Sequence, residues 1–323
     1  MSWRQCDTAI SHFISSSDEA GLQLHIRSHG DTEDHAPVLF VHGATYASRL
    51  YDIPHPGMSW LKACADAGFA AYAVDIRGYG LSRSTVRDTT SQPYARADAA
   101  IRDIDDAVSW ISTRHGNAPV RLIGGSWGSI TTACYVSGPG AEKIDRLILY
   151  APIFAARNQG WLSLLADPVA PDRLNPAMGA TRLVDEAGTR YRWDAEIPSG
   201  KVEAWRDEEV FQALVQSSLD DDPIARAQTP PAFRAPNGTL VDLWEVFNAR
   251  PLYDPARITC PVMLIRGGDD PTSTRADALS LFDRLGTARR RYVEIANGTH
   301  FVSAERFGPN VFAVCNDFMT APG

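Results

Sequence analysis

The sequence has no excess of positive charge and no long apolar run, and each shortage excludes a class of protein. Its 323 residues include 31 Lys and Arg against 39 Asp and Glu, a formal net charge of -8. Such a chain lacks the broad basic surface that nucleic acid requires, so we expect no nucleic-acid partner. No apolar stretch approaches the roughly 18 residues of a membrane span, and no N-terminal secretion pattern is visible. We therefore expect a cytoplasmic protein that acts away from membranes.

Cysteines are also few, and no set of residues has the spacing of a metal or cofactor site. The five cysteines are scattered and include no Cys-x-x-Cys pair; they are Cys6, Cys64, Cys134, Cys260 and Cys315. This spacing is typical of buried free thiols in a reducing compartment. The segment His29–His35 has metal-ligating residue types but falls in a polar turn, and Asp75–Ser82 has too few glycines for a dinucleotide fingerprint. We expect neither a metal nor a cofactor.

Short apolar runs alternate with helical patterns along most of the chain. Predicted strands lie at 12–16, 22–29, 37–42, 70–75, 120–123, 147–150, 262–266 and 292–295, and predicted helices at about 60–67, 101–111, 279–285 and 312–319. This alternation predicts an α/β fold with a mostly parallel sheet that has helices on both faces. In such a sheet the chemistry gathers at the carboxyl ends of the strands.

The alternation stops between Phe154 and Arg250. This segment is rich in proline and carries four of the eight tryptophans, which are Trp161, Trp193, Trp205 and Trp244. We predict that residues 1–153 and 251–323 form the α/β core. Residues 154–250 are predicted to form an inserted, mainly helical cap over the active edge of the sheet.

The stretch Gly124–Gly128 reads Gly-Gly-Ser-Trp-Gly and lies between a predicted strand and a helical pattern. A serine at the tip of a strand-turn-helix has its hydroxyl pushed into the cleft, and small flanking residues let strand and helix approach. The alternative is that Ser126 only caps a glycine-rich turn. Because a serine hydroxyl is a poor nucleophile without a base and a carboxylate, the rest of the chain must decide.

A base and an acid both follow strands further along the chain. His300 comes just after the predicted strand 292–295, and Asp270 comes just after the strand 262–266. Both therefore fall at carboxyl ends, in the order serine, aspartate, histidine that is expected for this fold. The neighbouring Asp269 is the alternative acid, although it could instead cap a helix that we expect to begin at Pro271. We predict Ser126, Asp270 and His300 as the catalytic residues.

Acyl transfer also needs two donors for the oxyanion of the tetrahedral intermediate. One predicted donor is the backbone N–H of Trp127, where the dipole of the following helix adds to it. The other is the backbone N–H of Ala44, in the loop His-Gly-Ala-Thr-Tyr-Ala-Ser that follows the strand 37–42.

Taken together, these motifs resemble those of the α/β-hydrolases. The stretches that carry the resemblance are VLFVHGAT, AAYAVDIRGYGLS, LIGGSWGS, IRGGDDP and NGTHF, in that order. The resemblance implies a sheet of about eight strands, a cap inserted after the sixth strand, and no cofactor. GGSWGS is similar to proline iminopeptidases, although their HGGPG loop is replaced here by HGAT. The longer stretch from His42 to Ser82 resembles bacterial hydrolases of monoalkyl phthalates and similar esters.

The leading hypothesis is hydrolysis of a carboxylic ester through an acyl-enzyme. The aromatic cap and Trp127 favour a small apolar or aromatic substrate, such as an aromatic monoester. If that substrate carries a carboxylate, Arg49 or Arg157 is expected to pair with it. The alternatives are hydrolysis of a carbon–carbon bond in a diketone-like product, hydrolysis of a peptide or amide bond, and a binding protein without catalysis.

Overall fold

The computed structural model describes residues 9–83 and 92–321. Its strands are β1 (Ile10–Ser15), β2 (Gln23–His29), β3 (Ala36–Val41), β4 (Phe69–Val74), β5 (Val120–Gly125), β6 (Ile144–Tyr150), β7 (Ala166–Asp167), β8 (Ala170–Leu174), β9 (Thr181–Asp185), β10 (Ala232–Pro236), β11 (Val262–Gly267) and β12 (Arg290–Ile295). Its helices are α1 (Trp60–Asp66), α2 (Ala97–Arg114), α3 (Trp127–Val136), α4 (Gln159–Leu165), α5 (Glu186–Asp194), α6 (Val202–Trp205), α7 (Glu208–Asp220), α8 (Pro223–Arg226), α9 (Gly238–Phe247), α10 (Arg275–Arg284) and α11 (Gly308–Thr320).

Eight strands form one sheet in the order β1-β2-β4-β3-β5-β6-β11-β12. The pairs β1–β2 and β2–β4 are antiparallel, whereas the remaining pairs are parallel. Strands β4 and β11 are buried along their whole length, because helices pack on both faces of the sheet. The prediction of a mostly parallel, eight-stranded α/β sheet is confirmed, and each predicted strand overlaps one of these eight.

Two apolar clusters lie on the two faces of the sheet. One lies between the sheet and helices α2 and α3, and includes Ile104 and Ile130. The other lies under α1 and α11, where the Trp60 and Phe312 rings stack with centroids 5.3 Å apart. The two layers hold the carboxyl edge of the parallel strands as a rigid base for the site.

The chain between β6 and β11 leaves the sheet and forms the segment that we call the insert, residues 154–250. It contains helices α4 to α9 and two small antiparallel sheets, β7–β8 and β9–β10. An apolar cluster joins it to the core, because Trp193 and Phe211 of the insert pack with Ile53 and Phe301.

The expectation of buried free cysteine thiols is met only in part. Cys64 and Cys315 are buried free thiols, Cys134 and Cys260 are only partly buried, and Cys6 lies outside the described residues. In the part of the chain that the structure describes, no helix combines the length and apolar character needed to cross a membrane.

Candidate active site

Ser126 lies at a sharp turn between β5 and α3. Its backbone has φ 56° and ψ -122°, a conformation that non-glycine residues rarely adopt. The turn is possible because glycines flank it: a Cβ on Gly124 would lie 2.2 Å from Thr132 Oγ1, and one on Gly128 would lie 2.3 Å from the Val41 carbonyl oxygen. The strand and helix therefore meet closely enough to hold the Ser126 hydroxyl out at the carboxyl edge of the sheet.

His300 lies in the loop between β12 and α11, within hydrogen-bond distance of Ser126. Its Nε2 is 2.8 Å from Ser126 Oγ, and its Nδ1 is 2.8 Å from Asp270 Oδ2. Since a carboxylate only accepts, we assign the Nδ1 proton to the bond with Asp270, which leaves Nε2 free to accept from the serine hydroxyl. The Tyr150 hydroxyl fixes the same loop by donating to the His300 carbonyl oxygen at 3.0 Å.

Asp270 is buried, and its second oxygen is held by the backbone. Oδ1 accepts from the N–H groups of Thr272 and Ser273, each at 2.8 Å, so the carboxylate is fixed in orientation. Asp269 is exposed and is not the partner of His300. The prediction that a helix begins at Pro271 is wrong, since α10 begins at Arg275. The N–H groups of Thr272 and Ser273 bond to Asp270 in a turn, and the Thr274 side chain caps the helix that follows.

The predicted oxyanion donors belong to two segments that meet near Ser126. Trp127 is the first residue of α3, so its N–H has no acceptor within the helix. Ala44 lines the same cavity as Ser126 and His300. A Cβ on Gly43 would lie 3.0 Å from Ser126 Cβ, so a side chain at this position would crowd Ser126.

His42 holds the backbone of this loop through both ring nitrogens and is not available as a base. Its Nδ1 is 2.8 Å from the Gly43 carbonyl oxygen, and its Nε2 accepts from the Ile76 N–H at 3.0 Å. Complete burial lowers the pKa of His42, so the ring stays neutral. Both ring nitrogens are committed to holding the backbone beside Ala44.

The side chain of Trp127 does not line the cavity beside Ser126, which corrects the expectation that it faces a substrate there. It is fully buried, and its indole N–H donates to Asp242 Oδ2 at 3.1 Å. Three of the insert tryptophans are also buried in packing, namely Trp193, Trp205 and Trp244. Trp161 alone of the predicted aromatics lines the cavity beside Ser126.

Two connected spaces lie above Ser126. The inner one is narrow and is lined by Ser126, His300, Tyr46 and Leu50 among others. The outer one has a volume of about 720 Å³ and a mostly apolar wall that includes Leu165. Ala44, Thr45, Trp161, Arg192 and Thr272 line both spaces. A substrate of moderate size would therefore reach the serine from the outer space.

The two arginines expected to bind a substrate carboxylate are placed elsewhere. Arg49 makes a two-pronged ion pair with Asp221, at 2.9 and 3.0 Å. Arg157 is exposed and hydrogen bonds with Asn248 and Gln159. Neither arginine lines the cavity beside Ser126. The sequence does not reveal that a carboxylate 172 positions away neutralises Arg49.

Two other arginines of the insert face the cavity, and sequence reasoning missed both. The Arg192 guanidinium lies 4.9 Å from the Trp161 ring centroid and 5.5 Å from that of Phe301. Arg182 donates to the carbonyl oxygens of Ala44 and Pro236. Among the described residues, no carboxylate oxygen lies within 4.0 Å of either guanidinium. Burial without such a partner lowers the pKa of Arg182, which still carries its charge.

A second Ser-His-Asp set occurs at the end of the sheet formed by β1 and β2. His25 Nδ1 is 2.8 Å from Asp75 Oδ2, and His25 Nε2 is 3.0 Å from Ser11 Oγ. Ser11 lies in the extended edge strand β1, paired with Arg27, and not at a strained turn. Hydrogen bonds alone therefore do not distinguish the two sets; the turn and the cavity at Ser126 do.

Within residues 9–83 and 92–321, no group of three or more His, Cys, Asp and Glu side chains is arranged to hold a metal ion. His29, the last residue of β2, contacts Asp52, with Nε2 3.1 Å from Oδ1.

Comparisons with known proteins agree with this architecture. A family model described as serine aminopeptidase, S33, matches residues 32–306. No curated protein matches the chain significantly. A thermophilic esterase from Thermogutta terrifontis is similar in structure, with a TM-score of 0.64 at 16% identity over 96% of this chain and 98% of that one.

Two further solved structures are similar over nearly their whole length. A serine hydrolase from the polyaromatic hydrocarbon-degrading bacterium Cycloclasticus zankles has a TM-score of 0.65 at 15% identity, covering 98% of this chain and 100% of its own. An E-2-(acetamidomethylene)succinate hydrolase has a TM-score of 0.65 at 17% identity, covering 97% of this chain and 100% of its own. At these identities the similarity establishes the fold alone.

Proposed function

Because the chain belongs to the serine aminopeptidase S33 family, a family of hydrolases, we propose that it is a serine hydrolase that cleaves a carboxylic ester through an acyl-enzyme. One observation carries the proposal: the hydrogen-bonded series Ser126, His300, Asp270 begins at a strained turn beside a cavity. The strained backbone costs stability, and such strain gathers at functional sites.

In the proposed mechanism, His300 Nε2 takes the hydroxyl proton as Ser126 Oγ attacks the ester carbonyl carbon. The N–H groups of Trp127 and Ala44 stabilise the oxyanion, and Asp270 stabilises the imidazolium. His300 then gives its proton to the departing alkoxide, which leaves as the alcohol. A water molecule, deprotonated by His300, attacks the acyl carbon, and the returned proton restores the serine hydroxyl.

The charge of the cavity favours an ester that carries a negatively charged group. Arg182 and Arg192 both line the outer space, where Glu196 is the single carboxylate among the described residues. Arg192 is held by aromatic rings and not by a carboxylate, so its donors remain available to an anion. We propose that these two arginines take the role first expected of Arg49 and Arg157.

The same charges disfavour an aminopeptidase, despite the family description. An aminopeptidase must hold the ammonium group of a peptide N-terminus, which requires free carboxylates near the scissile bond. Glu196 already accepts a hydrogen bond from the His300 N–H and interacts with the charge of Arg192, and Arg182 lines the same space. An ammonium group would meet repulsion there.

We also propose that residues 154–250 act as a cap that selects the substrate. Trp161, Arg182 and Arg192, which form much of the wall above Ser126, all belong to this segment.

The test is a panel of aryl, alkyl and anionic monoesters, with an aminoacyl anilide and a diketone-like ring-cleavage product, assayed on wild type and S126A. We expect ester turnover by the wild type and a loss on the order of a million-fold in kcat for S126A. Retention of a tenth of the activity by S126A would refute the assignment of Ser126. Faster turnover of the anilide than of any ester would mean that the protein cleaves an amide bond. Faster turnover of the diketone would mean that it cleaves a carbon–carbon bond.

The anionic preference is tested with a monoester of a dicarboxylic acid and its uncharged diester. We expect R192A to raise KM for the monoester about tenfold and to leave the diester nearly unchanged. R157A is the matched control, because Arg157 is an exposed arginine of the insert outside both cavities. An equal effect of R192A on both esters would contradict the proposal.

A further inference from the structure

Glu196 lies on the turn that follows α5, and it reaches from the insert to the histidine loop. Its Oε2 accepts the backbone N–H of His300 at 3.0 Å. This bond joins the insert directly to the residue proposed as the base, on the backbone and not on the ring. It leaves the imidazole free for Ser126 and Asp270.

A second carboxylate supports the same loop one residue earlier. Glu305 is fully buried and accepts the Thr299 N–H at 3.1 Å, the Thr299 hydroxyl at 2.6 Å and the Trp193 indole N–H at 3.0 Å. The Trp193 ring also stacks on Phe301, with centroids 4.8 Å apart. Residues 193–196 of the insert therefore hold the loop on both sides of His300.

Glu196 affects His300 in two ways. Its hydrogen bond holds the backbone, and its charge interacts with the imidazole ring. The charged and titratable groups that interact with Glu196 are His300, Asp270, Arg192, Tyr46 and Glu305. Burial and the charge of Asp270 raise the pKa of Glu196, whereas His300 and Arg192 oppose that rise. Attraction between a carboxylate and an imidazolium is mutual, so an ionised Glu196 favours the protonated ring that forms during acyl transfer.

We infer that Glu196 is a positioning residue for His300, which fixes the backbone of the histidine and adds a negative charge near its ring. The inference rests on the proposed serine-hydrolase function and extends it. It makes the base depend on the insert, because the carboxylate reaches His300 only while residues 193–196 are docked on the histidine loop. Asp270 orients the ring from the sheet, and Glu196 holds the backbone from the insert.

The experiment measures the rate at which a fluorophosphonate labels Ser126, as a function of pH, in wild type, E196Q and E196A. Glutamine keeps an oxygen to accept the His300 N–H but carries no charge. A less favoured imidazolium stays deprotonated to lower pH, so the acidic limb of the profile is expected to move down by about one pH unit in E196Q. The plateau is expected to fall about threefold to tenfold, since the base is weaker.

E196A removes the acceptor too, and its plateau is expected to fall at least tenfold below that of E196Q. The matched control is E203Q, which makes the same chemical change at an exposed glutamate of the insert and should reproduce the wild-type profile. D194N is a second control, because Asp194 lies on the same segment but pairs with Arg206 at 2.8 Å.

The experiment distinguishes a failure of the proposed function from a failure of the inference about Glu196. Wild-type protein that is not labelled at all would sink the proposed function. Wild-type labelling with an E196Q profile and plateau equal to those of wild type would overturn the inference alone. A lower plateau in E196Q with an unmoved acidic limb would also overturn it, because a purely structural defect lowers the rate without moving the limb. Thermal unfolding of each variant ensures that the comparison is made between folded proteins.

Discussion

Ser126 keeps a strained backbone because its neighbours have no side chains to prevent the turn. At Gly128 the obstacle is backbone, since an added Cβ would lie 2.3 Å from the carbonyl oxygen of Val41 and 2.5 Å from that of His42. We expect G128A to lose at least about 3 kcal/mol of unfolding free energy, because a backbone contact of this kind cannot relax. Urea unfolding measures the loss.

The control for that substitution is G160A on α4, where the added Cβ would meet only Asn158 Oδ1 at 3.5 Å. G160A should keep or slightly raise stability, since alanine favours a helix over glycine. A G128A protein as stable as G160A would show that the turn does not need this glycine.

Trp127 provides a second prediction at the residue scale. Its indole N–H is bonded to the buried carboxylate of Asp242, and its ring is out of the cavity. We expect W127F to lose about 1–3 kcal/mol of unfolding free energy and to leave KM for an ester within about twofold. A large rise in KM with unchanged stability would instead mean that the Trp127 side chain contacts the substrate.

The sequence predicted which residues meet at the site better than it predicted where side chains point. Ser126, Asp270 and His300 each follow a strand, and parallel strands place their carboxyl ends together, so their proximity could be expected. The partners of Trp127 and Arg49 could not, because Asp242 and Asp221 lie in the insert, more than a hundred residues away along the chain. The catalytic roles themselves stay predictions.

At the scale of elements, the strands of the central sheet were predictable and the strands within the insert were not. Buried parallel strands read as continuous apolar runs, which marks them clearly in the sequence. Strands β7 to β10 are short, and most of them have exposed or half-buried positions. Their sequences therefore contain no continuous apolar run from which a strand could be predicted. One of these strands, β9, supplies Arg182, which is why that cation was missed.

The contact between the insert and the histidine loop predicts a pH dependence of stability. Burial raises the pKa of Glu305 from 4.5 to about 7. The folded state therefore binds this proton more tightly than the unfolded state, and the associated stability is present at acid pH and lost as the pH rises through about 7. Glutamine does not titrate, so the stability of E305Q relative to wild type should rise between pH 5 and pH 8.5, by up to about 3 kcal/mol.

Urea unfolding at several pH values measures this difference. The exposed control E203Q should keep a constant offset from wild type across the range. An E305Q offset that is equally constant would mean that Glu305 does not titrate in this window, and the assigned pKa would be wrong.

At the scale of the whole molecule, the insert and loops of the α/β core share one apolar cluster, which includes Trp193, Phe211, Phe301 and Ala304. We therefore expect them to unfold in one cooperative transition. Half of the eight tryptophans lie in the insert, so fluorescence is weighted toward it, whereas far-ultraviolet circular dichroism reports the whole chain. Coincident urea curves from the two signals are the expected outcome, and an earlier fluorescence transition would mean that the insert unfolds first.

The central claim is that Ser126 is a nucleophile activated by His300, and intact-mass spectrometry after treatment with a fluorophosphonate tests it most directly. The account predicts a mass increase of one phosphonyl group on wild type, located at Ser126 by peptide mapping. It predicts no increase on S126A, and labelling slowed by a factor on the order of a thousand or more on H300A. Labelling of S126A at the wild-type rate, or a wild-type protein that stays unlabelled, would contradict the account.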